Sequence, residues 1–306
     1  MKAIVDSMIR LQEVPESILA VIKKELTIRN PSYVKKKAMG LNRWAWGEEW
    51  IKLYKEKRIN GVKEIILPRG YLIRLTEISN FRRFQNGRVL KTFVYYPQKP
   101  KLRDYQEPFV EYARDCLGQG VFIAPCGSGK TASAMGIIYE LQQPTLWITH
   151  TMELLQQSMS AAEKFLGVKD AMVGVIQGAN MSIGTHMTFA TVQTLAKRDL
   201  SEISKFFGCV IIDEAHLVFK DDKNTRMFES VISQLPAYYR FGLTASEFRS
   251  DGLIDTMFKV IIAWITGGIL PVIALSMTAL VADNLKLQEE ENAGQQTDAA
   301  PPDVPT

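Results

Sequence analysis

From residue 102 onward the chain alternates short apolar runs with helix-like segments, and this rhythm constrains the fold more than any other feature. The runs are 121–124 (VFIA), 145–149 (TLWIT), 172–176 (MVGVI), 188–192 (TFATV), 209–212 (CVII) and 238–243 (YYRFGL), with segments such as 131–142 and 152–166 between them. A strand buried on both faces reads as a continuous apolar run, and parallel neighbours need a crossover to bring the chain back. The pattern predicts an α/β domain over 101–260 with a mainly parallel sheet covered by helices.

The loops after two of these runs carry candidate chemistry. GVFIAPCGSGKT (120–131) ends a strand, passes through Gly127 and Gly129, and opens a helix at Lys130 and Thr131. Glycines let backbone N–H groups approach phosphate oxygens closely, and a helix N-terminus adds partial positive charge. Lys130 would then reach the β/γ-phosphates and the Thr131 hydroxyl would bind Mg²⁺. The general pattern asks for Gly where this chain has Ala124. CVIIDEAH (209–216) delivers Asp213 and Glu214 to the carboxyl end of a strand, where ligands of α/β sheets bind. Asp213 is expected to hold the metal, and Glu214 to orient and deprotonate an attacking water. Such a pair alone is often a solvated strand end; together with the glycine loop it predicts a nucleotide-hydrolysis site.

Residues 1–100 differ in charge: 21 Lys and Arg stand against 9 Asp and Glu, whereas 101–306 carry 16 against 24. A basic segment of this size points to a polyanionic partner, with a merely solvated surface as the alternative. The segment reads as a small α+β accessory domain. Pro15 opens a helix with Ile18, Leu19, Ile22 and Leu26 on one face, and Trp46, Trp50 and Tyr54 fall at helical spacing. FRRFQNGRVLKTFVYY (81–96) predicts a hairpin turning at Asn86-Gly87, and PQKPK (97–101) a linker. Lys35 to Lys37, Arg82, Arg83, Arg88 and Lys91 among aromatic residues suit a nucleic-acid backbone with base stacking.

Taken in order, these motifs resemble a superfamily 2 helicase of the DEAH-box type, close to phage helicases and the translocating subunits of restriction enzymes. The resemblance covers about 102–258. LRDYQ (102–106) resembles the adenine-recognition motif, which implies Gln106 and Arg103 near the base. APCGSGKT (124–131) matches the family's AxxGxGKT loop, in which Pro125, Cys126, Gly127, Ser128, Gly129, Lys130 and Thr131 line the phosphates, and Ala124 is ordinary. THTMELLQQ (149–157) and TFATVQTL (188–195) resemble the strand-contacting motifs, implying nucleic-acid roles for Thr151, Thr191 and Gln193. DEAH is motif II, and GLTAS (242–246) matches motif III, so His216, Thr244 and Ser246 would couple hydrolysis to strand movement. EFRSDG (247–252) is similar to a PFRxDG motif with Glu247 in place of Pro, and ELTIRNPSY (25–33) and LPRGY (67–71) resemble the phage accessory region. The resemblance implies a RecA-like fold, ATP and Mg²⁺ as cofactors, and DNA as partner.

The remaining features bound these expectations. Cys116, Cys126 and Cys209 with His150, His186 and His216 have no metal-ligand spacing and form no disulfide framework, which suits a reducing cytoplasm, the host's for a phage-borne chain. Residues 260–282 lack any charge; Gly267, Gly268 and Pro271 interrupt them, and an interdomain remnant, a buried strand–turn–strand and a membrane anchor stay open. The acidic, Pro-rich 284–306 is expected to be disordered. The stretch after Ser246 is expected to be too short for a second RecA-like domain, which leaves three readings: an ATP-dependent DNA helicase or translocase working with a second protein, a truncated or frameshifted product with weak ATPase activity and no unwinding, or a nucleic-acid-binding module whose nucleotide site is regulatory.

Overall fold

The computed structural model of the protein describes residues 1–41, 48–59, 61–79, 83–115, 118–219 and 222–245. In chain order the first part comprises β1 (Lys2–Val5), β2 (Met8–Gln12), α1 (Glu16–Glu25), β3 (Thr27–Arg29), α2 (Pro31–Ala38), β4 (Trp50–Lys52), β5 (Lys55–Ile59), β6 (Val62–Pro68), α3 (Leu72–Ser79) and β7 (Gln85–Asn86). Five of the strands form one sheet in the order β5-β6-β2-β1-β7, antiparallel except for β7 beside β1. Because side chains alternate across a strand, Val5, Ile9, Leu11, Ile65 and Leu67 fall on one face. They bury against Leu19 and Ile22 of α1 and Leu72 and Leu75 of α3.

Two local expectations are corrected. Trp50 lies in β4, paired antiparallel with β3, and no helix spans 48–54; Trp46 is outside the described residues. Three aromatic positions at helical spacing sample too few residues to outweigh strand pairing. The hairpin at Asn86-Gly87 does not form. The Gly87 amide instead donates to the Val5 carbonyl at 2.7 Å, the Val89 amide donates to the Pro236 carbonyl, and the Val89 carbonyl accepts from Tyr238, the last two also at 2.7 Å. Two sheets thus compete for this segment with its own return strand, and they win. A hairpin does close between β5 and β6, where Ile59 pairs with Val62 and Gly61 takes φ +81°.

The second part follows as α4 (Glu107–Asp115), β8 (Gln119–Ile123), α5 (Lys130–Leu141), β9 (Thr145–Thr149), α6 (Met152–Leu166), β10 (Val173–Gln177), β11 (Asn180–Met181), β12 (Met187–Thr191), α7 (Val192–Leu195), β13 (Cys209–Ile212), α8 (Asp222–Ile232) and β14 (Tyr239–Thr244). Its seven strands run β11-β10-β12-β9-β13-β14-β8, all parallel but β11. This is the α/β, mainly parallel architecture expected of a RecA-like domain, and each apolar run became a strand. Strands β9, β12 and β13 are buried along their whole length. Residues 94–98 lie along this part: Tyr96 is in its core, and the Gln98 amide donates to the Leu166 carbonyl at 3.0 Å. No helix among the described residues is long and apolar enough to cross a membrane, and 260–282 and 284–306 lie outside them.

Two fully buried arginines join the parts. The Arg69 guanidinium donates to the Ala237 carbonyl at 2.5 Å, Tyr238 carbonyl at 2.9 Å, Gln119 Oε1 at 3.1 Å and Asp6 carbonyl at 3.4 Å. Arg240 donates to the carbonyls of Leu235 (2.8 Å), Ile232 and Ser7 (3.2 Å each). Carbonyl dipoles, rather than a paired carboxylate, hold these charges, and burial lowers the basicity of both, Arg240 to about 10. Replacing Arg69 by Met keeps the bulk but strands several carbonyls. Arg69→Met is therefore expected to cost about 3 kcal/mol of stability, read as a lower midpoint in urea and faster proteolysis between the two sheets.

Candidate active site

Parallel pairing decides where the loops meet. β14 is bonded to β13 on one side and β8 on the other, with Gly242 opposite Ile212 and Thr244 opposite Ile123. The loops leaving β8, β13 and β14 therefore emerge side by side, and the Ala124 amide donates to the Thr244 carbonyl at 3.0 Å.

The first loop is held from beneath by a short 3₁₀ turn at Asp104–Gln106. Buried Gln106 donates through Nε2 to the Ser128 carbonyl at 3.0 Å and the Gly129 carbonyl at 3.4 Å, while its Oε1 accepts from the Arg103 amide at 3.0 Å. The Tyr105 hydroxyl donates to the Ser128 carbonyl at 3.2 Å and accepts from the Arg103 guanidinium at 2.7 Å. Gly129 takes φ +83°, and a Cβ there would collide with the Gln106 amide, so two separate constraints demand glycine. The Ser128 hydroxyl donates to the Pro125 carbonyl at 2.8 Å. Lys130 opens α5 with its ammonium over the loop, donating to the Ala124 and Pro125 carbonyls at 3.2 and 3.4 Å. Thr131 is half-buried in the first helical turn, and Cys126 is exposed on the loop.

The second loop presents the two carboxylates in different environments. Burial, then the charge of Glu214, pushes Asp213 up to about 6 against the pull of Lys130 and His216. Glu214 moves the other way, chiefly through its hydrogen bond to His216 and with help from the Lys130 charge. Environments that drive neighbouring carboxylates apart are a mark of divided acid–base roles. Glu214 has φ +51°, a region few non-glycine residues occupy. His216 Nδ1 lies 3.1 Å from Glu214 Oε2 and 3.2 Å from Thr244 Oγ1, linking the second loop to the end of β14. Ser246 and 247–252 lie outside the described residues.

The expected nucleic-acid residues are spread over the neighbouring strand ends. Thr151 Oγ1 accepts from the Leu154 amide and caps α6; Thr191 Oγ1 accepts from the Thr194 amide and caps α7. Gln193 Nε2 is 3.2 Å from His150 Nδ1, which ties the loops after β9 and β12 together. Tyr105 was missed as a loop support, although its place between Arg103 and Gln106 signalled it. Arg69 and Arg240 carried no sequence signal of burial, since arginine is ordinarily exposed.

Residues 99–249 are similar to the first RecA-like domain of the superfamily 2 helicases, a class with this fold. They match the family described as "Type III restriction enzyme, res subunit". Among similar proteins, L396 of Acanthamoeba polyphaga mimivirus, which bears the name of an ATP-dependent RNA helicase, is 35% identical over 154 residues, 50% of this chain and 27% of that protein. The DNA 3'-5' translocase XPB2 of Sulfurisphaera tokodaii is 31% identical over 164 residues, 52% of this chain and 34% of its own. The chain thus spans about a third or less of these relatives' length. The UvsW helicase from bacteriophage T4 has a similar fold, with TM-score 0.60 and 18% identity over 87% of this chain and 100% of that crystallised chain.

The raised Asp213 pKa has a consequence for stability. Its folded value lies above the unfolded 3.8, so ionising it opposes folding. The penalty is absent below about pH 4, grows through pH 6 and is complete at neutral pH. Asp213→Asn is therefore expected to stabilise the protein at pH 7.5, without added nucleotide, by on the order of 1–2 kcal/mol. The gain should vanish by pH 4 in thermal unfolding scans.

Proposed function

We propose that the chain is an ATP-hydrolysing helicase or translocase component acting on DNA. The observation that carries the reading is the convergence of the Gly127–Thr131 loop with Asp213 and Glu214 at neighbouring parallel strand ends, with the charge of Lys130 felt by both carboxylates. One relative bears the name of an ATP-dependent helicase and another that of a DNA translocase, which supports this reading.

The residues fit a Mg²⁺–nucleotide. Gly127 at φ +83° has nothing within reach of a Cβ, so the loop is open where phosphate oxygens would approach. The Lys130 ammonium spans two backbone carbonyls that a phosphate would replace. Among the described residues no group of three or more His, Cys, Asp or Glu could enclose a metal. That suits Mg²⁺, which keeps waters and takes only one or two protein ligands beside phosphates. When bound, ATP supplies the phosphoanhydride that is split. Lys130 would neutralise the developing phosphate charge, Thr131 and Asp213 would hold the metal, and ionised Glu214 would take the proton of the attacking water. Gln106 and Arg103 set the loop against the base side of the nucleotide. His216 and Thr244 transmit the state of Glu214 to β14, and Thr151, Thr191 and Gln193 face the nucleic acid. A charge-stabilising arginine in such ATPases comes from outside this wall of the site, from a second RecA-like unit, in this chain or another. A cytoplasmic setting accords with this chemistry.

Thiol labelling and hydrolysis test the site together. In a Cys116→Ser background, a maleimide should modify exposed Cys126 quickly and leave Cys209, buried and with its pKa raised to about 12, untouched until unfolding. A non-hydrolysable ATP analogue with Mg²⁺ should shield Cys126. Lys130→Ala should abolish shielding, whereas Glu214→Gln should keep it and lower DNA-stimulated kcat by ~10²-fold or more. Absence of shielding in the wild-type chain would sink the proposal.

A further inference from the structure

The five-stranded sheet has a second face that its helices α1 and α3 do not use. Register places Ile4 opposite Arg10, Lys2 opposite Gln12, and Gln12 opposite Glu64, whose other neighbour is Lys57. These alternate residues all point away from the apolar core of Ile9, Leu11 and Ile65. A cavity of about 460 Å³ opens on this face, lined by Ile4, Arg10, Glu64, Arg83 and Phe84 among others. That volume falls in the range of small-ligand sites, ~300–1,000 Å³.

Two residues that line this cavity each hold one buried polar atom with no partner among the described residues. Glu64 is only 4% exposed; its Oε1 accepts from Gln12 at 3.3 Å, but its Oε2 has no partner among the described residues. Arg10 reaches the Asp6 carboxylate through Nη2, yet its buried Nε donates to nothing among the same residues. A buried, unsatisfied acceptor and donor are costly and uncommon. A planar ligand that offers a donor beside an acceptor would satisfy both. Phe84 adds an aromatic side chain to the lining, Lys2 and exposed Arg83 add positive charge, and Lys57 pairs with Glu64 on the neighbouring strand. Among the described residues Lys2 is engaged only in a surface pair with Glu13, which screening makes weak.

We infer that this cavity receives one unstacked nucleobase of a single-stranded nucleic acid, and that Glu64 selects bases bearing an exocyclic amino group. The amino group donates to the Glu64 carboxylate, Arg10 Nε donates to the adjacent ring nitrogen or carbonyl, and the ring lies on Phe84. Lys2 and Arg83 meet the flanking phosphates. Sheets that present aromatic and polar side chains to splayed bases are a general solution to single-strand recognition. Cytosine and adenine offer the amino group and thymine does not. The assignment rests on the reading of the chain as a nucleic-acid-dependent ATPase, and it adds a site remote from the ATP loop.

Fluorescence anisotropy of the full chain with labelled 12-mers of dC, dA and dT at 150 mM salt tests it. The dC and dA oligomers are expected to bind about 5–10-fold more tightly than dT, an increment of one base-edge contact. Glu64→Gln keeps the shape, so it should fold as the wild type does. It should erase that preference while leaving dT affinity and the DNA-independent ATPase rate unchanged. Phe84→Ala and Arg83→Ala should weaken all three oligomers several-fold. Equal binding of all three oligomers, or a preference that survives Glu64→Gln, overturns the pocket but leaves the ATPase reading intact. Failure of every oligomer to bind, with Cys126 still shielded by the ATP analogue, overturns the pocket and the DNA reading together.

Discussion

Because β14 is hydrogen-bonded to β13 on one side and β8 on the other, three loops far apart in sequence leave the sheet as neighbours, and the chemistry of the site depends on that pairing. Parallel strands start at one level and end at another, so every loop that follows a strand opens on the same edge of the sheet. The glycine loop, the two carboxylates and Thr244 are brought together by backbone hydrogen bonds rather than by contacts of their own. The side-chain links that remain, from Gln106 to the loop carbonyls and from His216 to Glu214 and Thr244, then refine positions the ladder has already fixed. Electrostatics follows from the same proximity. Lys130 acts on both carboxylates, and their mutual repulsion falls mainly on Asp213, the more buried of the two.

The same strand ties the N-terminal sheet to this edge. Arg240, near the start of β14, donates to the Ser7 carbonyl in the turn between β1 and β2, and Thr244, at its end, meets His216. Arg69 grips the backbone just before β14 and the Gln119 side chain at the start of β8. Buried charges of this kind are held only where the surrounding carbonyl geometry is fully formed. The two sheets therefore meet through a polar, directional junction that specifies one orientation, where an apolar contact would permit sliding. Strand β14 is bonded to the accessory sheet at one end and to the candidate catalytic loop at the other.

Legibility in the sequence varied with the range of the interactions involved. The strands of the larger sheet were readable because burial on both faces imposes an unbroken apolar run, as in CVII at 209–212, whatever the neighbours. The glycine loop was readable because φ > 0 at Gly127 and Gly129 is a local demand. Trp50 and Asn86-Gly87 were misread for the opposite reason. Their conformations were set by β3 and by the 236–238 backbone, partners distant in sequence. The Asn-Gly at 60–61 carried the same local signal as that at 86–87. Only the availability of a facing strand, β6 in one case and none in the other, separated them.

By itself the sequence determined the α/β class, the alternation of strands and helices in the larger sheet's domain, and the candidates for meeting phosphate and metal, since each rests on burial periodicity or on backbone freedom over a few residues. Tertiary structure alone decided what those residues experience. It placed Gln106 beneath the loop, raised Asp213 and lowered Glu214, bonded buried Arg69 and Arg240 to backbone carbonyls, and left Glu64 Oε2 and Arg10 Nε without a partner among the described residues. Each of these is a matter of distance and dielectric between segments far apart in the chain. Local sequence does not encode such quantities until the strands have paired.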